Sequence, residues 1–105
     1  MSIERVNHLK SVLEKEPRNS FARYALGMEY SSAGETDAAI EQFRLLLEAD
    51  PNYVNAYFMG AQQLQHAGRN EDAMIWLRGG IASARNAGNR HAESEMQALL
   101  DELEG

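Results

Sequence analysis

The chain has 105 residues, a formal net charge of −6 and no cysteine. This length suits a single domain, and the lack of cysteine excludes disulfides, thiolate metal sites and cysteine nucleophiles. The ten lysines and arginines are scattered along an acidic chain. We therefore expect no nucleic-acid partner and no binding to anionic membranes, because both need clustered cations. No apolar segment approaches the ~20 residues of a membrane span, and the first residues do not resemble a secretory signal, so a cytoplasmic location is expected.

Three helices are predicted in the first half of the chain. The first runs from Ser2 to about Lys15, and the second from Asn19 to Ser32, where Gly34 provides a left-handed C-cap. Thr36 is the predicted N-cap of the third helix, which ends before Pro51. Helical spacing gives the third helix a buried stripe of Ile40, Phe43, Leu46 and Leu47.

The second half is predicted to hold three more helices. The fourth starts at Asn52 or Tyr53 and runs to His66, where Gly68 stops it. Asn70 is the predicted N-cap of the fifth, which continues to about Ala87. Its inward residues are Ala73, Met74, Leu77 and Ile81. The last helix runs from Asn89 to about Leu103, with an apolar stripe of Ala92, Met96, Leu99 and Leu103.

The sequence repeats with a period of 34 residues. This shift places Pro17 on Pro51, Ala33–Gly34 on Ala67–Gly68, Ala39 on Ala73 and Arg44 on Arg78. The same shift, applied backwards, aligns the first helix with the third. A period of this size indicates stacked helical repeats. We therefore predict one all-α domain of antiparallel helix-turn-helix units with six helices. It comprises a half-repeat helix (1–16), two repeats (20–53 and 54–87) and a C-terminal capping helix (88–104).

The first repeat resembles the tetratricopeptide repeat (TPR) family. The matching residues are Leu26-Gly27, Tyr30, Gly34, Ala39, Phe43 and Pro51. Small residues at Gly27 and Ala39 let the paired helices approach, and Tyr30 and Phe43 fill the space between neighbouring helices. The second repeat departs from the pattern at Gly60-Ala61, Gly79-Gly80 and Arg85. For the two mid-helix glycines two explanations stay open, which are close packing against Gly60-Ala61 and a helix bend.

The resemblance implies a concave groove lined by the first helix of each repeat. The residues that match this face are Phe21, Tyr24, Met28 and Ser31 in the first repeat, and Asn55, Phe58, Gln62 and Gln65 in the second. Aromatic, thioether and amide side chains suit a helix or an extended peptide with apolar anchors. Alternatively, the final helix covers this face with Met96 and Leu100. No cation stands at the positions that match a chaperone-tail carboxylate clamp, so that ligand is not expected.

Histidines and carboxylates offer no catalytic or metal constellation. His8, His66 and His91 fall on three different helices, and His91 is one turn from Glu95, which predicts a solvated pair. No nucleophile–base arrangement or phosphate loop occurs. We therefore predict no catalytic, cofactor-binding or metal-binding residue and no enzymatic activity.

The predicted function is a protein-binding scaffold whose partner is a protein or a peptide. Replacing Tyr24 and Phe58 with alanine is expected to weaken this binding without unfolding the chain. The alternative is structural: self-association through the first and last helices into homodimers, or a place as a small subunit of a larger assembly.

Overall fold

The computed structural model describes residues 1–105 as six α-helices without a strand. The helices are α1 (Ile3–Lys15), α2 (Ser20–Ser32), α3 (Thr36–Ala49), α4 (Val54–His66), α5 (Asn70–Asn86) and α6 (Arg90–Glu104). The chain divides into two compact units, Met1–Asp50 with α1 to α3 and Pro51–Gly105 with α4 to α6. The predicted all-α class and helix number are confirmed. None of the six helices combines the length and apolarity that a membrane span requires.

Left-handed glycines end three of the helices. Gly34, Gly68 and Gly88 have φ values of 75°, 78° and 70°. At the first of these turns the Gly34 N–H donates to the Ser31 carbonyl, and the Glu35 N–H donates to the Tyr30 carbonyl. This is the Schellman pattern, which satisfies carbonyls left open at a helix end and which a residue with a Cβ adopts only with strain. The glycine spacing thus sets the hairpin turns, as predicted.

Two predicted N-caps are wrong. Thr36 and Asn70 are the first helical residues of α3 and α5, and Glu35 and Arg69 occupy the N-cap positions without a side-chain cap. The reason is the tight turn: the Glu35 N–H is bonded to the preceding helix, and the next helix follows directly, so it starts one residue earlier than predicted. Side-chain caps occur elsewhere, where Ser2, Asn19 and Asn89 accept from backbone N–H groups of α1, α2 and α6.

Close contact at Gly27 joins α2 to α3. A Cβ at Gly27 would lie 2.5 Å from Cε1 of Phe43, so the Phe43 ring packs directly on the α2 backbone. Phe43 and Ala39 are fully buried, and Tyr24 adds a tilted ring contact to Phe43 with centroids 5.9 Å apart. The predicted role of these small and large residues is therefore confirmed. Leu46 is also buried, whereas Ile40 and Leu47, predicted in the same stripe, are half-buried.

An apolar cluster and one carboxylate hold α1 against α2. The cluster contains Val6, Leu9, Leu13, Ala22 and Leu26, with Val12, Ala25 and Tyr30 packed against it. At the other end of α1, Glu29 accepts from the Arg5 guanidinium and from the Ser2 N–H at 3.3 Å. The Glu29 side chain is only 11% exposed. The hydrogen bond from Arg5, followed by that from Ser2, lowers the pKa of this carboxyl below its ordinary value.

We expect acid or the substitution Glu29→Gln to loosen α1. A lowered folded-state pKa gives a contribution that is present above the unfolded pKa, about 4.3, and lost as the pH falls through the folded value. The protection of α1 amides, which is their exchange relative to an unfolded chain at the same pH, should therefore fall in Glu29→Gln at neutral pH and in the wild type below about pH 4. Glu14→Gln, an exposed carboxyl on α1 itself, is the matched control. Equal exchange in the two variants would contradict this role for Glu29.

Glycines again allow close contacts in the second unit, but with partners that were not predicted. A Cβ at Gly60 would lie 2.5 Å from Cε3 of Trp76, so α4 and α5 approach closely there. At Gly80 a Cβ would clash with the Met96 sulfur and lie 2.7 Å from Tyr57 Cβ, and at Gly79 it would lie 3.0 Å from the Tyr57 ring. Close packing is thus the reason for the glycine pair, but against Tyr57 and Met96. The expectation of packing on Gly60-Ala61 is wrong.

The end of α5 and the packing of α6 complete the second unit. α5 extends to Asn86 without a proline stop, as predicted from Arg85. It buries Ala73, Leu77 and Ile81, whereas Met74 is half-buried. In α6 the fully buried residues are Met96 and Leu100. The predicted stripe is therefore displaced, since Ala92, Leu99 and Leu103 are half-buried and border the contact with α5.

Candidate functional site

One face of α2 displays large apolar side chains to solvent. Phe21 is 77% exposed and Met28 is 37% exposed. They lie seven residues apart with Ala25 between them, so the three share one face of the helix. Ala25 packs against the α1–α2 cluster, as does Val12 of α1. Sequence reasoning did not include Ala25 or Val12, although the spacing 21, 25, 28 was visible and points to the same stripe.

The other two predicted residues of α2 turn toward α3. Tyr24 is half-buried because its ring packs against Phe43. Ser31 is half-buried, and its Oγ is shielded from solvent. Of the four predicted residues, Phe21 and Met28 are therefore the ones classed as exposed, with most of the Phe21 side chain and about a third of Met28 open to solvent.

The predicted residues of α4 offer a mainly amide surface. Asn55 is exposed, whereas Phe58, Gln62 and Gln65 are half-buried. Asn55 also borders an open depression of about 390 Å³ lined by Asn52, Tyr53, Val54, Asn55, Ala87 and Asn89. These four residues belong to the second unit and the α2 residues to the first. A groove shared by both sets remains a prediction.

None of the eight predicted residues is charged, in a chain with 26 charged side chains. The Arg5–Glu29 ion pair involves α2, but neither of its members is among these eight residues. Such a surface offers ring faces, a thioether and amide groups, which contact apolar and neutral polar groups. It has no cation to hold a carboxylate or a phosphate.

The titratable groups show no chemistry of another kind. His91 Nε2 lies 3.0 Å from Glu95, the solvated pair that the spacing predicts. No three histidine, aspartate or glutamate side chains lie close enough together to hold a metal ion. Glu29 has a lowered pKa and is shielded from solvent, and its carboxylate accepts hydrogen bonds in the contact between α1 and α2.

Comparisons with known proteins agree with the helical hairpins. A TPR repeat-containing protein of Pseudomonas aeruginosa is 30% identical over 99 residues, which are 94% of each chain. The chain belongs to the tetratricopeptide repeat family. A tetratricopeptide repeat domain protein of Salinibacter ruber, solved by NMR, is 32% identical with a TM-score of 0.77 over 85% of this chain and 90% of its own. A solution structure of a Bordetella parapertussis protein is 28% identical with a TM-score of 0.80, covering 98% and 88% of the two chains. No protein-family model matches the sequence.

Tetratricopeptide repeats are in general modules for interaction between proteins, and not enzymes. Membership in the family therefore directs attention to the surfaces of the helices. The exposed face of α2 has the strongest apolar character of the predicted site residues.

Proposed function

We propose that this tetratricopeptide repeat protein binds a helix or peptide with apolar anchors on the exposed faces of α2 and α4, and catalyses no reaction. The observation that carries the proposal is the solvent exposure of Phe21 and Met28 on one face of α2. Exposed aromatic and thioether groups that share one face of a helix are typical of interaction sites, because they bury large areas when a partner docks.

The partner segment is expected to be neutral and apolar where it touches these faces. The eight proposed contact residues include no lysine or arginine, and the chain as a whole carries a net charge of −6. An acidic peptide would be repelled by this charge and would find no cation to pair with. Asn55, Gln62 and Gln65 can pair with a peptide backbone as both donors and acceptors.

Phe21→Ala combined with Met28→Ala tests the α2 face. Peptides selected from a displayed random library against the wild type should be rich in aliphatic and aromatic residues. The double variant should bind them at least about tenfold more weakly, since truncation of two apolar anchors costs more than about 1.4 kcal/mol. The affinities are measured by fluorescence anisotropy. The Tyr24 substitution expected from the sequence is a poorer test, because Tyr24 supports Phe43.

Ile75→Ala is the matched control for these variants. Ile75 is 63% exposed but lies on α5, which contributes none of the proposed contact residues. Its truncation should leave peptide binding unchanged. Selection of acidic peptides, or equal affinities for the double variant and the wild type, would refute the proposed site.

Self-association is the second candidate function. The observation that favours it is the opposite charge of the segments that contain α1 and α6. A symmetric homodimer would place identical patches together, whereas these two segments are complementary to each other and not to themselves.

A further inference from the structure

We propose that copies of this chain associate head to tail, with the outer face of α6 of one copy packed between α1 and α2 of the next. This inference is argued from the charges of α1 and α6 and not from peptide binding, although its docking seam includes Ala25 of the exposed α2 face. It also differs from a symmetric dimer, since the two contacting surfaces are different.

The charges of the two segments are complementary. Residues 1–18 contain four lysines or arginines and three glutamates, whereas residues 89–105 contain one arginine and five carboxylates. With histidines neutral, the first segment carries +1 and the last −4. Opposite potentials favour contact between unlike ends and oppose contact between two copies of α6.

The outer face of α6 is acidic around small side chains. Glu93, Gln97 and Asp101 recur at intervals of four residues, with Ser94 and Ala98 beside them. Together with Arg90 these residues line an open depression of about 500 Å³. Within the chain, Glu93 lies 2.8 Å from Arg85, and Asp101 accepts from Gln97 at 2.9 Å. Both carboxylates keep lone pairs for a second donor.

The facing side of α1 is cationic around an apolar seam. Arg5, His8, Val12 and Lys15 follow one another at helical intervals of three and four residues. This side of α1 borders α2, because the Arg5 guanidinium donates a hydrogen bond to Glu29 of α2. Val12 of α1 and Ala25 of α2 both pack against the apolar cluster between the two helices, and both are half-buried. A helix laid along this seam would meet apolar groups at the centre and cations on its α1 edge.

The spacings of the charges agree. Glu93 and Asp101 are eight residues apart, which is about 12 Å along a helix, and Arg5 and Lys15 are ten apart, or about 15 Å. With α6 antiparallel to α1, Glu93 therefore pairs with Lys15 and Asp101 with Arg5. The remaining difference of about 3 Å is within the reach of long cationic side chains. In this register Ser94 lies over Val12, and Ala98 lies beside His8.

The repeat pattern supports this docking. The 34-residue shift aligns α1 with α3, the second helix of a repeat, and α6 follows α5 as the first helix of a further repeat. Within the chain, α6 already packs in this way on α5, the second helix of the preceding repeat, where Met96 contacts Gly80. The proposed contact repeats this arrangement between two copies.

A head-to-tail contact is open, so each added copy presents a new end. Because the interface is largely charged, its association is expected to be weak and sensitive to salt. Sedimentation velocity at about 10 μM to 1 mM protein should show growth beyond the dimer at ~50 mM salt, and at least a tenfold weaker association at ~500 mM salt.

Two substitutions with matched controls locate the surfaces. Ala98→Arg should abolish association, whereas Ala82→Arg, on an exposed site of α5, should not. Lys15→Glu should abolish it as well, whereas Lys10→Glu, on a different side of α1, should not. Circular dichroism of all four variants confirms that the helices are retained.

Mixing the two inactive variants gives the decisive result. Ala98→Arg keeps an intact α1 side and Lys15→Glu keeps an intact α6 face, so an equimolar mixture should form a 1:1 dimer that grows no further. A symmetric interface predicts no such recovery. A wild type that stays monomeric at ~1 mM and low salt, a closed dimer, or a mixture that stays monomeric would each overturn the proposal.

Discussion

Replacing Phe43 with alanine is expected to lower the free energy of unfolding by about 3–5 kcal/mol. Phe43 is fully buried, packs against the α2 backbone at Gly27 and contacts the Tyr24 ring. Removal of the ring leaves a cavity, because the turns that fix α2 and α3 limit how far the two helices can move into the space. Chemical denaturation followed by circular dichroism measures the loss, and hydrogen exchange of α2 and α3 shows whether it is confined to the first unit.

Phe21→Ala is the control for this prediction, because it removes the same group from a site that is 77% exposed. A change within about 0.5 kcal/mol is expected there. Losses of equal size at the two positions would show that the packing of Phe43 on Gly27 does not stabilise the fold.

The second large effect is expected for Gly80→Ala, which should destabilise the chain by about 1–3 kcal/mol. Alanine normally improves a helix interior by about 1 kcal/mol over glycine. At Gly80, however, the new methyl group would clash with the Met96 sulfur and lie 2.7 Å from Tyr57 Cβ. Met96 can change its rotamer, but Tyr57 Cβ is fixed to the α4 backbone, so α4 and α5 must separate. Fluorescence of Trp76, the one tryptophan, reports unfolding of the second unit.

The neighbouring Gly79→Ala provides the comparison. A Cβ there meets only the edge of the Tyr57 ring, at 3.0 Å, and a ring can move by a few tenths of an ångström. Its stability should stay within about 1 kcal/mol of the wild type, because the helix propensity of alanine offsets the contact. A Gly80→Ala protein as stable as Gly79→Ala would disprove the proposed contact with α4.

Local signals explain what the sequence predicted well. The glycines at 34, 68 and 88 mark helix ends because only a residue without Cβ takes a positive φ without strain. The 34-residue period located the hairpins, and the close approach at Gly27 and the packing role of Phe43 were correctly predicted. Thr36 and Asn70 were assigned as N-caps because threonine and asparagine are favoured there. The tight hairpin turn instead makes each of them the first residue of its helix.

Non-local contacts were beyond the same reasoning. The partners of Gly79 and Gly80 depend on how Tyr57 and Met96 approach α5, which no spacing within α5 reveals. The role of Glu29 likewise depends on its contact with Arg5 of α1, which lies 24 residues earlier in the sequence. For the candidate site, the family pattern indicated the helix face, but the division between exposed Phe21 and partly covered Tyr24 is set by the Phe43 ring.

The glycine pair in α5 also has a consequence for the order of folding. Two interior glycines give this segment little helicity of its own, so its helix persists only while Tyr57 and Met96 pack on it. During synthesis we expect α5 to stay largely unstructured until α6 has left the ribosome, and the second unit then to form in one cooperative step. The first unit, whose contacts involve earlier residues, is free to fold before it.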